Sequence, residues 1–185
     1  MNQGNATFNR ACEVWKMEAR SVQRLAETID TEAFSSVVRR IIECRQKGGR
    51  VLVTGKGTSG AAARKVVQNF CFVDIPAVFL SLGEGVHANM GLVKPGDVLI
   101  LISKAGSAEE VLRYIGPAHD NGATVIGVTQ NPASQLAMRS DIMLRVSVEK
   151  EVDAHNALAT ASTLTIIATF DAIAVAILEG FDGGS

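Results

Sequence analysis

Cysteine is scarce in this chain: three in 185 residues, Cys12, Cys44 and Cys71, widely spaced and without a CxxC pair. That argues against a disulfide framework and against a cysteine metal site, and it fits a reducing cytoplasm. An excess of one charge sign is also missing, the formal net charge being -1. The overall field of such a chain draws neither nucleic acid nor an anionic membrane. There is no RNP-type aromatic motif and no zinc-finger spacing. The N-terminal segment lacks the long apolar core of a signal peptide. A membrane span needs roughly 18 apolar residues, and the apolar stretch near the C-terminus is interrupted by Thr169 and Asp171. Proline numbers only four, none of them in the first 47 residues, which leaves that region free to be helical.

What is present is a globular balance, 47% hydrophobic and 20% charged, in a length that suits one domain with a sizeable core. Residues 1–185 are read as a single domain: helices over 1–47, then an α/β core and C-terminal helix over 48–180, with a frayed tail at 183–185. Val14, Met17, Val22, Leu25 and Ile29 recur at helical spacing, and Phe34, Val37, Val38, Ile41 and Ile42 repeat the pattern. Ile29-Asp30-Thr31-Glu32 marks a break and a new cap between the two helices, and Gly48-Gly49 ends the second. Short apolar runs then alternate with helical patterns. Strands are expected over 50–54, 77–80, 97–102, 124–129 and 141–146. Helices are expected over 61–72, 107–121, 134–138 and about 156–179, with a turn and short helix at 83–88 and Gly116-Pro117 as a candidate kink. This alternation predicts a doubly wound, five-stranded parallel sheet flanked by helices. In such sheets ligands bind beyond the carboxyl ends of the strands. The loops at 55–60, 81–88, 103–110, 129–132 and 147–156 are therefore where chemistry is to be sought.

Gly55-Lys56-Gly57-Thr58-Ser59-Gly60 lies between a strand and a helix and has GxGxxG spacing. Its glycines let backbone amides approach an anion. It is not a Walker loop. A dinucleotide site would want an acidic residue after the second strand, where Ser81-Leu82 stand instead. A tight turn with Ser59 as helix cap is the plainer alternative. In Ser103-Lys104-Ala105-Gly106-Ser107-Ala108-Glu109-Glu110, Ser103, Ser107, Lys104 and the helix amides suit a phosphate, while Ser107 and Glu110 also read as a capping box. Glu84 and His87 share a face if their segment is helical, a carboxylate–imidazole pair suited to proton transfer. Glu149, Lys150, Glu151, Asp153 and His155 crowd the loop after the fifth strand. They lead into a hydroxyl-rich helix start, Ala159 to Thr165, that includes Thr160 and Thr163. The cluster reads equally as a solvated loop, and the hydroxyls as caps. His119, on a mid-helix polar face, is given no role.

The pattern as a whole resembles the SIS (sugar isomerase) family, and most closely the SIS domain of bacterial arabinose-5-phosphate isomerases, over roughly residues 10 to 180. The family's Val-Thr-Gly-x-Gly-x-Ser-Gly is matched by Val53 to Gly60, and its Glu-Ala-x-His-Gly-Asp-x-Gly by Glu84 to Gly91. Pro95-Gly96-Asp97 matches a proline-glycine-aspartate before the third strand, and Thr129-Gln130-Asn131-Pro132 a Thr-x-Asn-Pro turn. Glu151 followed by the hydroxyl-rich segment from Thr160 to Thr163 completes the likeness. Four departures stand out. In the loop that the family writes Ser-x-Ser-Gly-x-Thr-x-Glu, Ala105 replaces the second serine and Ala108 the threonine. Thr58 stands where the similar isomerases have lysine, with Lys56 nearby. Ala88-Asn89 replaces Gly-Asp. The CBS module pair that many members carry is not seen.

The resemblance implies a flavodoxin-like SIS fold, a dimer or tetramer with shared active sites, and a phosphorylated sugar as ligand. The phosphate is expected on the 103–108 loop, and the sugar near Gly57, Thr58, Ser59, His87 and Glu151. It implies aldose–ketose isomerisation through a cis-enediol, needing no metal or other cofactor. Glu151 is expected as base, with His87, oriented by Glu84, and His155 in proton transfers. Lys56 or Lys104 is expected to stabilise anionic charge, with Ser103, Ser107, Thr160 and Thr163 as further contacts. Two alternatives stay open: a non-catalytic phosphosugar-binding module, for which the two alanines speak, and a 6-phospho-3-hexuloisomerase.

Overall fold

A computed structural model of the chain describes residues 3–180; the tail at 183–185 lies outside them. The five apolar runs form one parallel sheet: β1 (Val51–Gly55), β2 (Ala77–Phe79), β3 (Val98–Ile102), β4 (Thr124–Thr129) and β5 (Ile142–Arg145), in the order β2-β1-β3-β4-β5. All ladders are parallel, with Val51 opposite both Ala77 and Val98. Every residue of β1 and β3 is buried, as expected for strands covered on both faces.

Side-chain alternation splits the core into two layers. Val51, Val53, Val98, Ile100 and Ile102 face one layer. There they pack on α3 (Thr31–Gln46), α4 (Thr58–Phe72) and α9 (Ala161–Leu178). Leu52, Leu99, Leu101 and Val125 face the other. Its cover is built largely from short helices: α5 (Val86–Met90), α6 (Glu109–Leu112), α7 (Ile115–Asp120) and α8 (Gln135–Arg139). α1 (Gln3–Gln23) and the single turn α2 (Leu25–Thr28) precede α3, and α1 packs along α9. The expected break holds: Asp30 caps α3 by accepting a hydrogen bond from the Ala33 amide at 2.7 Å.

Two expected helices are changed, each for a physical reason. The helix read over 107–121 is two short ones, α6 and α7, with a break at 113–114. Pro117 has no amide to bond the carbonyl four residues back, and its ring crowds that carbonyl. The helix read from 156 begins at Ala161, because the preceding residues are turned toward a buried carboxylate. By length and composition α9 is apolar enough to cross a membrane despite Asp171, but half of it is buried inside this protein. The ring of Phe170 on α9 meets Phe70 of α4 edge-on at 6.0 Å, and both are fully buried. Phe170→Ala is expected to cost about 3–5 kcal/mol, read as a shifted midpoint in urea unfolding.

Candidate active site

The strand order reverses between β1 and β3, so the loops leaving those two strands flank a common crevice. Gly57 opens the first loop at φ +58° and stands at the N-cap of α4. A Cβ on Gly60 would come within 2.6 Å of the Gly55 carbonyl, so this turn closes only around glycine. Thr58 and Ser59 lie inside the first helical turn, and no side chain caps it; the Ser59 cap is not formed.

The second loop wraps around Gly106. Its amide donates to the Ser103 carbonyl at 3.0 Å and to Ser103 Oγ at 3.2 Å. Its φ is +69°, and a Cβ there would meet Ser134 Cβ at 2.5 Å and Thr129 Oγ1 at 2.9 Å. The amides of Ala105, Ser107 and Ala108 have no acceptor among the described residues, leaving donors free along this loop. The expected capping box is absent. Ala108 is the N-cap residue of α6, without a side-chain cap. Glu110 instead pairs with Lys56, tying one loop to the other. Lys56 holds the Glu110 carboxyl below its ordinary range.

Across the crevice lies Glu151, 1% exposed. Lys104 donates to its Oε1 at 2.5 Å, and the Ser162 hydroxyl donates to the same oxygen. Its Oε2 accepts from the Thr160 amide at 3.0 Å, Thr160 Oγ1 at 3.2 Å and the Ser162 amide at 3.2 Å. Its own amide donates to Asn156 Oδ1 at 2.6 Å. Asp153 accepts from the amides of His155, Ala157 and Leu158, which shapes the approach to α9. These bonds explain why the helix starts late. Residues 156–160 are turned so that polar groups reach the two carboxylates.

The remaining expected residues are not drawn in. Glu84 ends a 3-10 turn (Leu82–Glu84), while His87 belongs to α5, with Gly85 at φ +79° between them. They share no helix face, both are exposed, and no hydrogen bond joins them. His155 is exposed, and only its amide is engaged. Thr163 bonds the carbonyl of Ala159 and does not reach Glu151. Ser162, given no separate role from sequence, is one of the principal partners of Glu151; the hydroxyl-rich run was its only signal. Gln130 Oε1 is buried without a partner; the sequence pointed to its loop, 129–132, without singling out this side chain. No group of three His, Cys, Asp or Glu side chains is placed to hold a metal among the described residues.

Residues 44–176 match the SIS domain model. The chain belongs to the SIS domain family. An arabinose 5-phosphate isomerase of Francisella tularensis, KdsD, is 33% identical over 172 residues, which cover 93% of this chain and 52% of that protein. The chain spans about half the length of the curated relatives it matches. A Listeria monocytogenes protein provisionally described as a sugar-phosphate isomerase superposes with a TM-score of 0.92 at 42% identity. The match covers 97% of this chain and 92% of the other. An Escherichia coli CFT073 protein solved in complex with a phosphosugar gives 0.88 at 26% identity, covering 100% and 98%.

In this SIS domain, burial pushes the Glu151 carboxyl upward. Lys104, the Ser162 hydroxyl, and the amides of Ser162 and Thr160 outweigh it and hold the group at about 2. A carboxyl depressed in the folded state adds stability that is complete above its ordinary value of 4.5 and is lost as pH falls toward about 2. Wild type is therefore expected to lose roughly 2–3 kcal/mol of its advantage over Glu151→Gln across that window, measured by urea unfolding at stepped pH. Gly106→Ala, which forces both a left-handed backbone and a collision with Ser134, is expected to cost about 2–3 kcal/mol. The same experiment at neutral pH reads it.

Proposed function

We propose that this SIS domain is a phosphosugar aldose–ketose isomerase working through a cis-enediol, similar in activity to the arabinose 5-phosphate isomerases it resembles. The observation that carries this reading is the buried Glu151 carboxylate beside Lys104, at the rim of a loop whose amides are unsatisfied. The phosphate sits on the 103–108 loop, received by those amides, the hydroxyls of Ser103 and Ser107, and Lys104. The open-chain sugar lies toward Gly57, Thr58 and Ser59. Glu151 takes the proton from the carbon alpha to the carbonyl and returns it to the neighbouring carbon. The proton of the hydroxyl on the alpha carbon moves in the same direction, to the carbonyl oxygen, so atoms and charge balance with no redox partner. Lys56 stabilises developing enediolate charge. His87 and His155, both exposed, serve hydroxyl proton transfer and ring opening, and Thr160 and Thr163 line the helix start.

A second copy of the chain is part of the proposal, as dimer or tetramer with shared sites. Phe72, Val175 and Leu178 support it: they are exposed beside a groove of about 360 Å³ between α4 and α9. We place the protein in the cytoplasm, acting on a soluble phosphosugar without nucleic acid or membrane.

The rival reading, a binding module without turnover, is favoured by one feature, the loss of two loop hydroxyls at Ala105 and Ala108. Five-, six- and seven-carbon sugar phosphates incubated in deuterated water and followed by NMR separate the two. Turnover with deuterium at the carbon next to the carbonyl is the expected result, falling about 10²- to 10⁴-fold in Glu151→Gln. Full activity in that variant removes Glu151 from the role of base. Saturable binding with no turnover establishes the binding module.

A further inference from the structure

In the arrangement seen here Glu151 has no room to act as a base. A carboxylate offers about four lone-pair sites, and all are taken: Oε1 by Lys104 and the Ser162 hydroxyl, Oε2 by the amides of Thr160 and Ser162, the one hydroxyl proton of Thr160 having the Leu158 carbonyl at 3.2 Å as a second acceptor. A proton leaving carbon needs an acceptor site, so one donor has to withdraw first. Three of these four donors belong to Thr160 and Ser162, at the start of α9. Their amides are fixed by the helix, and the Ser162 side chain is buried. The fourth is Lys104, which comes from the opposite loop on a long flexible stem. Its side chain is 34% exposed, against 1% for Glu151.

The backbone of Lys104 is anchored independently of its ammonium. Its carbonyl accepts from Thr129 Oγ1 at 2.9 Å and from the Gln130 amide at 3.1 Å. The ammonium can therefore change partner while the loop stays in place. Lys104 also stands in the same loop as the unsatisfied amides of Ala105, Ser107 and Ala108. A phosphate bound by those amides brings nearly two negative charges within reach of a cation now shared with a single carboxylate.

We infer that Lys104 is a two-position cation that locks Glu151 in the arrangement seen here and is drawn off by a ligand's phosphate, freeing Oε1 to accept a proton. This rests on the phosphosugar reading above and deepens it: the phosphate arms the base as well as anchoring the substrate. Lys104 is on this view a positioning residue for Glu151. A sugar without a phosphate leaves the lock closed even when it fits the crevice, so the device also selects substrate.

A double-mutant cycle on phosphate binding tests this without any turnover. Inorganic phosphate is titrated calorimetrically into wild type, Lys104→Met, Glu151→Gln and the double variant. Lys104→Met is expected to bind about tenfold more weakly, and Glu151→Gln about tenfold more tightly because its lysine is already released. The decisive quantity is the gain from Glu151→Gln in the Lys104→Met background, which is expected to vanish. An equal gain in both backgrounds means that the carboxylate merely repels phosphate through space, and overturns the inference. So does an absence of phosphate binding in both wild type and Glu151→Gln. Should Glu151→Gln fail to fold, carboxyl ¹³C spectra of the wild type carry the test. The glutamate signal displaced by Lys104→Met is expected to move on saturation with phosphate, and its standing still refutes the exchange. Coupling without sugar turnover would sink the isomerase reading alone; turnover without coupling would sink the lock alone.

Discussion

A carboxylate taken almost wholly out of water costs several kcal/mol unless donors surround it, and Glu151 imposes that requirement on everything near the mouth of the sheet. The segment after β5 cannot run straight into a helix, because the amides and hydroxyls of Thr160 and Ser162 are needed at the carboxylate. α9 accordingly begins at Ala161. Asn156, at φ +54°, holds the Glu151 amide, and Asp153 gathers the amides that follow. The loop after β3 completes the set by sending Lys104 across. One buried charge thus links the fifth strand, the last helix and the third strand.

The strand order makes that linkage possible. β1 and β3 are adjacent in the sheet with β2 outside them, so the loops at 55–60 and 103–108 open side by side. Glycine allows each loop to turn tightly: Gly60 against the Gly55 carbonyl, and Gly106 against Ser134 and Thr129. The Lys56–Glu110 pair then joins their tips. Both partners are well exposed, so its contribution is small, and its effect is to set spacing across the crevice.

Much of this was legible from residue patterns. Strands buried on both faces announce themselves as unbroken apolar runs, as β1 and β3 do, and all five strands are readable to within a residue or so of their ends. Asp30 is readable as a cap because a short acceptor ahead of a helical period has few other uses. Reading fails where a residue has two candidate partners. Ser107 and Glu110 have the spacing of a capping box, but the carboxylate of Glu110 finds the ammonium of Lys56, a partner that only the sheet topology brings near. Glu84 and His87 have helical spacing, which Gly85 interrupts by leaving right-handed backbone space. Ser162 is hidden in a run of similar hydroxyls, and only the fold picks out which of them face Glu151. The family resemblance identifies Glu151 and the loop, whereas the number of donors on Glu151 requires coordinates.

The ladder registers carry a consequence for how the chain reaches this state. Val51 pairs with Ala77 and Val98, Val98 with Thr124, and Ile126 with Ile142. No two neighbouring strands are joined by a hairpin, so no part of the sheet can nucleate locally. Helices form early and the strands must wait for distant partners, the kinetic signature of high contact order. During that interval the β1 and β3 runs, apolar on both faces, are exposed to other chains as well as to each other. Crowded synthesis is thus the condition under which this fold is most vulnerable to aggregation.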